Sequence, residues 1–175
     1  MQVKRFTEYV PLTRAGKISS PILFKIKSDV LKSHPNLSEE VFGPTSMVVE
    51  ADSKQDLLNI ARNLNGHLTA TVHGTDSDLI DYKDLLDILE QKVGRLLING
   101  YPTGVEVCSA MVHGGPFPAT SDVRSTSVGT AAINRFVRPI CYQNMPQNLL
   151  PEELKNTNPL GICRLVNGVL SKEAI

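Results

Sequence analysis

The sequence predicts an α/β fold, with helices packed on the faces of a mostly parallel sheet. Between residues 45 and 100, short β-branched runs alternate with segments whose apolar residues recur at helical spacing. The resulting order of strand, helix, strand, helix and strand implies right-handed crossovers between parallel strands. A length of 175 residues fits about one domain of this class.

Two strands are predicted around the start of this region. The run "PILFKIK" at 21–27 is short and apolar, and "TSMVVEA" at 45–51 is richer in β-branched residues. A helix follows, in which Ser53 and Asp56 approximate a capping box. Its apolar residues share one face, and Gly66 is a natural stop.

The alternation continues to the end of the predicted sheet. The Thr- and Val-containing run "HLTATVHG" at 67–74 predicts a strand. Apolar residues at helical spacing in 77–94 predict a helix that ends at Gly94. The run "RLLING" at 95–100 predicts a third strand.

The pattern changes after Gly100. Residues 101–125 are rich in Pro and Gly, and so long a loop in a compact domain is usually functional or disordered. Residues 126–138 restore helical spacing, with Ser127 as cap and Pro139 as stop. The proline-containing tail predicts an extended path with one helical turn near "PEELK".

The bulk composition excludes several classes of function. Eighteen basic and eighteen acidic residues cancel, which does not favour binding to nucleic acid or an anionic membrane. No apolar run approaches the ~20 residues of a membrane span, and the N-terminus has no signal-peptide core. The three cysteines, Cys108, Cys141 and Cys163, do not form a disulfide pattern. We therefore expect a cytoplasmic protein with reduced thiols.

Common catalytic and metal-binding signatures are absent. The sequence contains no G-x-S-x-G, H-E-x-x-H or Walker motif. Cys108 and His113 allow a thiolate pair or half of a metal site, but no third ligand stands at a suitable spacing. A small buried hydrophobe is the more ordinary interpretation of Cys108. His67 and His73 fall on one face of a predicted strand, where surface or strand-end positions are the simpler explanation.

Two short motifs stand out on local grounds. In "SEEVFGPTS" at 38–46, Glu40 and Phe42 are forced together before a strand, although an unpaired carboxylate avoids burial. Pairing of this Glu with a surface Lys is one explanation. In "HGGPFPATS" at 113–121, Phe117 lies between two prolines, so it either packs onto the domain or lines a pocket.

The motifs together resemble the C-terminal half of the catalytic domain of aldehyde dehydrogenases. They include "EEVFGP", "LTATVHG", "GRLLINGYPTGVEV" and the specific run "HGGPFPATSD". The last two resemble the NADP-preferring branch that oxidises α-ketoglutarate semialdehyde, also called 2,5-dioxovalerate. The resemblance covers about Pro21 to Val169. It implies that 21–175 is part of a three-layer α/β/α catalytic domain, whereas 1–20 has no assignment.

The resemblance assigns roles to two residues. It implies that Glu40 hydrogen-bonds the ribose hydroxyls of NADP or NAD, and that Phe42 packs beside the nicotinamide. A carboxylate is suited to accept from two neighbouring hydroxyls, and an aromatic face supports a flat ring. Phe117 is the candidate for the substrate pocket on the local grounds given above.

The same resemblance places the catalytic groups outside the matched stretch. The family's cysteine nucleophile, glutamate base and oxyanion-hole asparagine lie upstream, and no cysteine of this chain occupies the nucleophile's position. We therefore expect no catalytic residue, no turnover and little cofactor binding by these residues alone. The alternative is a non-enzymatic interaction module or one half of a split enzyme. In either case 136–144 is expected to pair as a strand with a second copy or an upstream half.

Overall fold

The computed structural model of the chain describes residues 4–5 and 21–175. The backbone divides into a first unit that runs to Phe136 and a second unit, Val137–Ile175. Apart from Lys4–Arg5, the N-terminal segment 1–20 lies outside the described residues, and the boundary at residue 20 stays a prediction. No helix in the described part of the chain is long and apolar enough to cross a membrane.

The strands and α-helices described in the first unit all lie before residue 100. They are β1 (Lys4–Arg5), β2 (Ile22–Lys27), α1 (Ser28–Ser33), β3 (Thr45–Glu50), α2 (Lys54–Asn63), β4 (His67–Val72), α3 (Asp76–Asp81), α4 (Lys83–Glu90) and β5 (Val93–Ile98). Short 3-10 helices occur at Pro35–Ser38 and Thr130–Arg135.

Parallel strand pairs form the two main sheets. Strands β2 and β3 run parallel, with Ile22 opposite Thr45, and β1 adds an antiparallel edge strand. Strands β4 and β5 form a separate parallel pair in which Ala70 lies opposite Leu96. The predicted α/β class with parallel sheets is therefore confirmed.

The single sheet expected over residues 45–100 is not formed. Strand β3 pairs with β2, and not with β4 or β5. The three strands predicted in this region are therefore divided between two sheets. Local sequence patterns predict the order of strands and helices. Which strands become neighbours depends on which backbone edges meet and exchange hydrogen bonds.

The apolar core of the first unit lies where α2 and α4 pack together and against β4 and β5. Leu58 and Ala61 of α2, with Leu85 and Leu89 of α4, are each less than a tenth exposed. Ala70, Val72 and Leu96 pack against this cluster from the strands. Burying a leucine side chain contributes about 1.5–3 kcal/mol, so this cluster is the main apolar stabilisation of the unit.

Tyr82 divides the helix predicted over 77–94 into α3 and α4. The amide of Leu85, which would bond to the Asp81 carbonyl in a continuous helix, donates instead to the Tyr82 carbonyl at 2.9 Å. The Lys54 ammonium donates to the Asp81 carbonyl and lies 5.1 Å from the Tyr82 ring centroid. A contact from a distant helix thus accompanies a break that local periodicity does not predict.

Two further helix predictions are wrong. Helix α4 ends at Glu90, and the predicted stop, Gly94, lies inside β5. The α-helix predicted over 126–138 is a 3-10 helix, Thr130–Arg135. Gly129 precedes it with a φ of 96°, a conformation outside the helical region that glycine adopts readily. The hydroxyl of the predicted cap, Ser127, donates to the His113 carbonyl instead.

The second unit is built from short elements. The predicted helical turn is present as a 3-10 helix at Glu152–Leu154. A hairpin that the sequence reading did not identify joins β6 (Arg164–Val166) to β7 (Val169–Ser171). Asn167 and Gly168 have positive φ angles, as a two-residue hairpin turn requires. The Asn-Gly pair was the available signal for it.

Asp56 connects α2 to the region around α1. The Lys32 ammonium and the Ser28 hydroxyl both donate to its carboxylate, as does the Asp52 amide at 3.1 Å. These hydrogen bonds, led by that of Lys32, lower the pKa of Asp56 to about 2. The Asp56 side chain is 11% exposed, so it is well shielded from water.

We predict that Asp56→Asn lowers stability at neutral pH and weakens its acid dependence. The folded-state pKa lies below the unfolded value of about 3.9, so the contribution is present above that value and is lost as pH falls towards about 2. Urea midpoints measured across this range test the prediction. Asp76→Asn is the control, since Asp76 makes no hydrogen bond or ion pair with a described residue. Equal acid dependence in wild type and Asp56→Asn would contradict it.

Candidate functional site

The loop from Glu39 to Pro44 joins the 3-10 helix at 35–38 to β3. The Glu39 amide donates to the Asn36 carbonyl at 3.2 Å, which holds the beginning of the loop. At its end, the Ile22 amide donates to the Pro44 carbonyl at 2.9 Å. The loop is therefore anchored at both ends, and Glu40 and Phe42 lie in the free middle.

Both predicted cofactor-binding residues of this loop are exposed. The Phe42 side chain is 93% exposed, although burying such a ring is worth about 1.5–3 kcal/mol. Glu40 is exposed and forms no hydrogen bond or ion pair with any other described residue. No described lysine therefore forms the surface ion pair with Glu40 that the alternative explanation requires. A free carboxylate and an uncovered aromatic face fit the ribose hydroxyls and the flat ring of a nicotinamide nucleotide.

An open cleft lies next to this loop. It has a volume of about 380 Å³ and is lined by residues 21–23 and 43–46, at the adjoining amino ends of β2 and β3. Gly43 has no atom near the position that a Cβ would take, so the turn leaves open space there. The loop thus presents its polar and aromatic groups beside a surface depression.

The second motif, "HGGPFP", packs through its backbone against β5 and the beginning of β4. A Cβ on Gly94 would lie 2.1 Å from the Gly114 carbonyl oxygen, and a Cβ on Gly66 would lie 2.2 Å from that of Pro116. A Cβ on Gly115 would lie 2.4 Å from the His67 carbonyl oxygen. Only glycine permits these approaches, which explains the glycines on both sides of the contact.

The backbone of this motif packs against the strands, whereas the ring of Phe117 points away from that contact into solvent. It is 78% exposed, and it does not line the polar cavity formed by the following residues. Among the described residues, no ring pair joins Phe117 to Phe42, and no hydrogen bond joins it to Glu40. Its assignment to a substrate pocket stays a prediction.

Hydrogen bonds made by hydroxyl side chains join the beginning of this loop, at His113, to its end at Thr126 and Ser127. The Thr126 hydroxyl, in a residue only 5% exposed, accepts from the His113 amide and donates to the Val128 carbonyl, both at 2.7 Å. The Ser127 amide and hydroxyl both donate to the His113 carbonyl at 2.9 Å. The sequence suggested Ser127 only as a helix cap and gave Thr126 no role, although 120–127 is visibly enriched in Ser and Thr.

Polar and aromatic groups also meet at the carboxyl ends of β4 and β5. The Asn99 side chain accepts from the Gly74 amide and donates to the Gly74 carbonyl, each at 2.9 Å. The rings of His73 and Tyr101 lie 5.3 Å apart. Among the described residues no group of three His, Cys, Asp or Glu is arranged to hold a metal ion. In the described part of the chain, Cys108 and His113 therefore have no third metal ligand beside them.

Comparison with known proteins finds curated relatives, two of which are described below, whereas no protein-family model matches the chain. Over 155 residues it is 58% identical to the alpha-ketoglutaric semialdehyde dehydrogenase of Acinetobacter baylyi, covering 88% of this chain and 30% of that protein. Over 146 residues it is 51% identical to the alpha-ketoglutaric semialdehyde dehydrogenase 2 of Azospirillum brasilense, covering 83% of this chain and 28% of that protein. The chain spans less than a third of the length of these relatives.

Proposed function

Because the chain belongs to the aldehyde dehydrogenase superfamily, as a C-terminal part of such a protein, we propose that it supplies part of a nicotinamide cofactor site. The reaction is the NAD(P)-dependent oxidation of an aldehyde to a carboxylate. NAD(P), when bound, would supply the hydride acceptor. The names of the two relatives support α-ketoglutaric semialdehyde as the aldehyde, and the resemblance of "HGGPFPATSD" supports NADP. We further propose a cytoplasmic location.

One observation carries this proposal: an unpaired carboxylate and an exposed aromatic ring share one short anchored loop. Glu40 would accept hydrogen bonds from the two ribose hydroxyls, and Phe42 would pack against the nicotinamide. Gly43 and Pro44 lead the loop into β3, so both groups are presented from the end of a strand. These residues hold and orient the cofactor. The nucleophile and the general base are supplied by sequence outside these 175 residues.

A chimeric enzyme tests the role of Glu40. The matched segment of this chain replaces its counterpart in the Acinetobacter baylyi relative, with Glu40 either intact or changed to Gln. We expect Glu40→Gln to lower kcat/KM for NADP by about 10- to 100-fold, because hydrogen bonds to a charged group are lost. The matched control is Glu39→Gln, an exposed neighbour expected to change it by less than about twofold. Equal values for the two variants would contradict the proposal.

A second candidate function is a strand-pairing module, either with another copy or with a separate upstream half. Residues 137–144 form no backbone hydrogen bond with other described residues and belong to no strand. Val137 and Ile140 are 58% and 62% exposed within this segment. A segment with exposed apolar side chains and free backbone groups is suited to strand addition. A clean monomer by light scattering would argue against self-association.

A further inference from the structure

A polar cavity of about 350 Å³ lies in the first unit, away in sequence from the Glu40 loop. Three parts of the chain line it: Leu68 of β4, the loop from His113 to Ser127, and Arg135 of the 3-10 helix. The walls carry several hydroxyl groups and one guanidinium. A cavity of this size is within the range of small-ligand sites.

The loop wall of the cavity is rigidly built. The His113 amide is held by the Thr126 hydroxyl at 2.7 Å, and the His113 carbonyl accepts two hydrogen bonds from Ser127 at 2.9 Å. The Thr120 hydroxyl donates to the Gly115 carbonyl at 2.8 Å. Because these bonds within the protein already fix the wall, ligand binding would require little further ordering of it.

Most hydroxyl protons around the cavity are already used, which limits the groups left for a ligand. Thr120, Ser125 and Ser127 all donate to protein carbonyls. The Ser121 hydroxyl and the Arg135 guanidinium, by contrast, make no hydrogen bond or ion pair with a described residue.

The two unused groups are both donors. Arginine offers only donors, and a serine hydroxyl offers one. Their shared requirement is a ligand rich in acceptor atoms. His113 also lines the cavity, but its Nδ1 is buried without a partner among the described residues and lies out of reach of a ligand there.

The one carboxylate that lines the cavity is compensated. Asp122 accepts from the Arg124 amide at 3.1 Å, and its carboxylate lies 3.6 Å from the Arg124 Nε. These contacts and the Ser125 hydroxyl hold the pKa of Asp122 below its usual value. Arg124 therefore balances the charge of Asp122, whereas the positive charge of Arg135 has no counterpart among the described residues.

We propose that this cavity binds a small oxyanion, a carboxylate or a phosphate group. Arg135 donates to it through the guanidinium fork, and the Ser121 hydroxyl donates to a second oxygen. Leu68, 39% exposed, offers an apolar surface to the carbon part of a carboxylate ligand.

Anion titration of the full 175-residue chain tests the proposal. Sodium phosphate and sodium acetate are titrated in separate arms, with chloride holding the ionic strength constant, and the amide resonances of 113–127 are followed by NMR. We expect saturable shifts in at least one arm. Tighter binding of phosphate would identify a phosphoryl ligand, and tighter binding of acetate a carboxylate ligand.

Arginine variants decide whether Arg135 is the anchor. Arg135→Gln is expected to weaken anion binding by at least about tenfold, because a charged hydrogen-bond donor is lost. Arg138→Gln is the matched control, since Arg138 is exposed and does not line the cavity. Arg135→Lys should recover part of the loss. Shifts no larger than those caused by chloride, or equal affinities in Arg135→Gln and Arg138→Gln, would overturn the proposal.

Discussion

The 175-residue chain on its own is expected to reduce NADP at a rate at least about 10⁴-fold below that of a complete enzyme, whatever aldehyde is supplied. Covalent oxidation of an aldehyde needs an activated nucleophile. The resemblance places that nucleophile upstream of the matched residues, so Cys108, Cys141 and Cys163 do not replace it. In the proposed role Glu40 and Phe42 only orient a cofactor, and neither side chain would attack a carbonyl carbon.

Absorbance of the reduced cofactor measures this directly, with α-ketoglutaric semialdehyde and other aldehydes as substrates. Mixing the chain with the separately produced upstream part of the Acinetobacter baylyi relative is expected to restore turnover. Activity that follows the isolated chain through purification and scales with its concentration would disprove the prediction. If mixing restores nothing while light scattering shows a stable oligomer, the strand-pairing function is favoured over the split enzyme.

Replacing Gly94 with alanine is expected to lower the free energy of unfolding by about 3 kcal/mol or more. The added Cβ would lie 2.1 Å from the Gly114 carbonyl oxygen and 3.0 Å from the Gly115 nitrogen. Both are backbone atoms, and Gly94 itself lies within β5, so neither side of the contact yields through a side-chain rotation. The loop must separate from the strands or the β4–β5 pair must distort.

Urea unfolding followed by circular dichroism measures the change. The matched control is Gly104→Ala, because no atom lies within 4 Å of the Cβ that it would add. That substitution is expected to change stability by no more than about 0.5 kcal/mol. Unfolding midpoints that agree for the two variants would show that the glycine contact does not hold the loop.

Several features of the fold were predictable because they depend on neighbouring residues. The strands at 22–27, 45–50 and 67–72 follow from short β-branched and apolar runs. The Ser53 hydroxyl accepts from the Asp56 amide at 3.1 Å, as the capping pattern indicates. For the candidate site, the motif containing Glu40 and Phe42 identified the loop, and the structure adds that both side chains are exposed.

The features that failed or were missed depend on contacts between distant parts of the chain. The glycine at 94 was interpreted as a helix stop, and its actual environment is a carbonyl group twenty residues later in the sequence. The break at Tyr82 is accompanied by a contact from Lys54 in another helix. The cavity around His113 and Arg135 is formed by a strand, a loop and a 3-10 helix, so no local sequence pattern predicts it.

The sequence by itself therefore determined the α/β class, most element positions and the resemblance to the family, and it supplied the prediction of a cofactor role for Glu40 and Phe42. Periodicity, capping and characteristic motifs are properties of residues close together in the chain, so they can be recognised from the sequence alone. Only the tertiary structure decided that β3 pairs with β2, that glycines face each other across a backbone contact, and that Arg135 and His113 share a cavity. Those outcomes depend on distances between segments far apart in the chain, which are established only when the backbone packs.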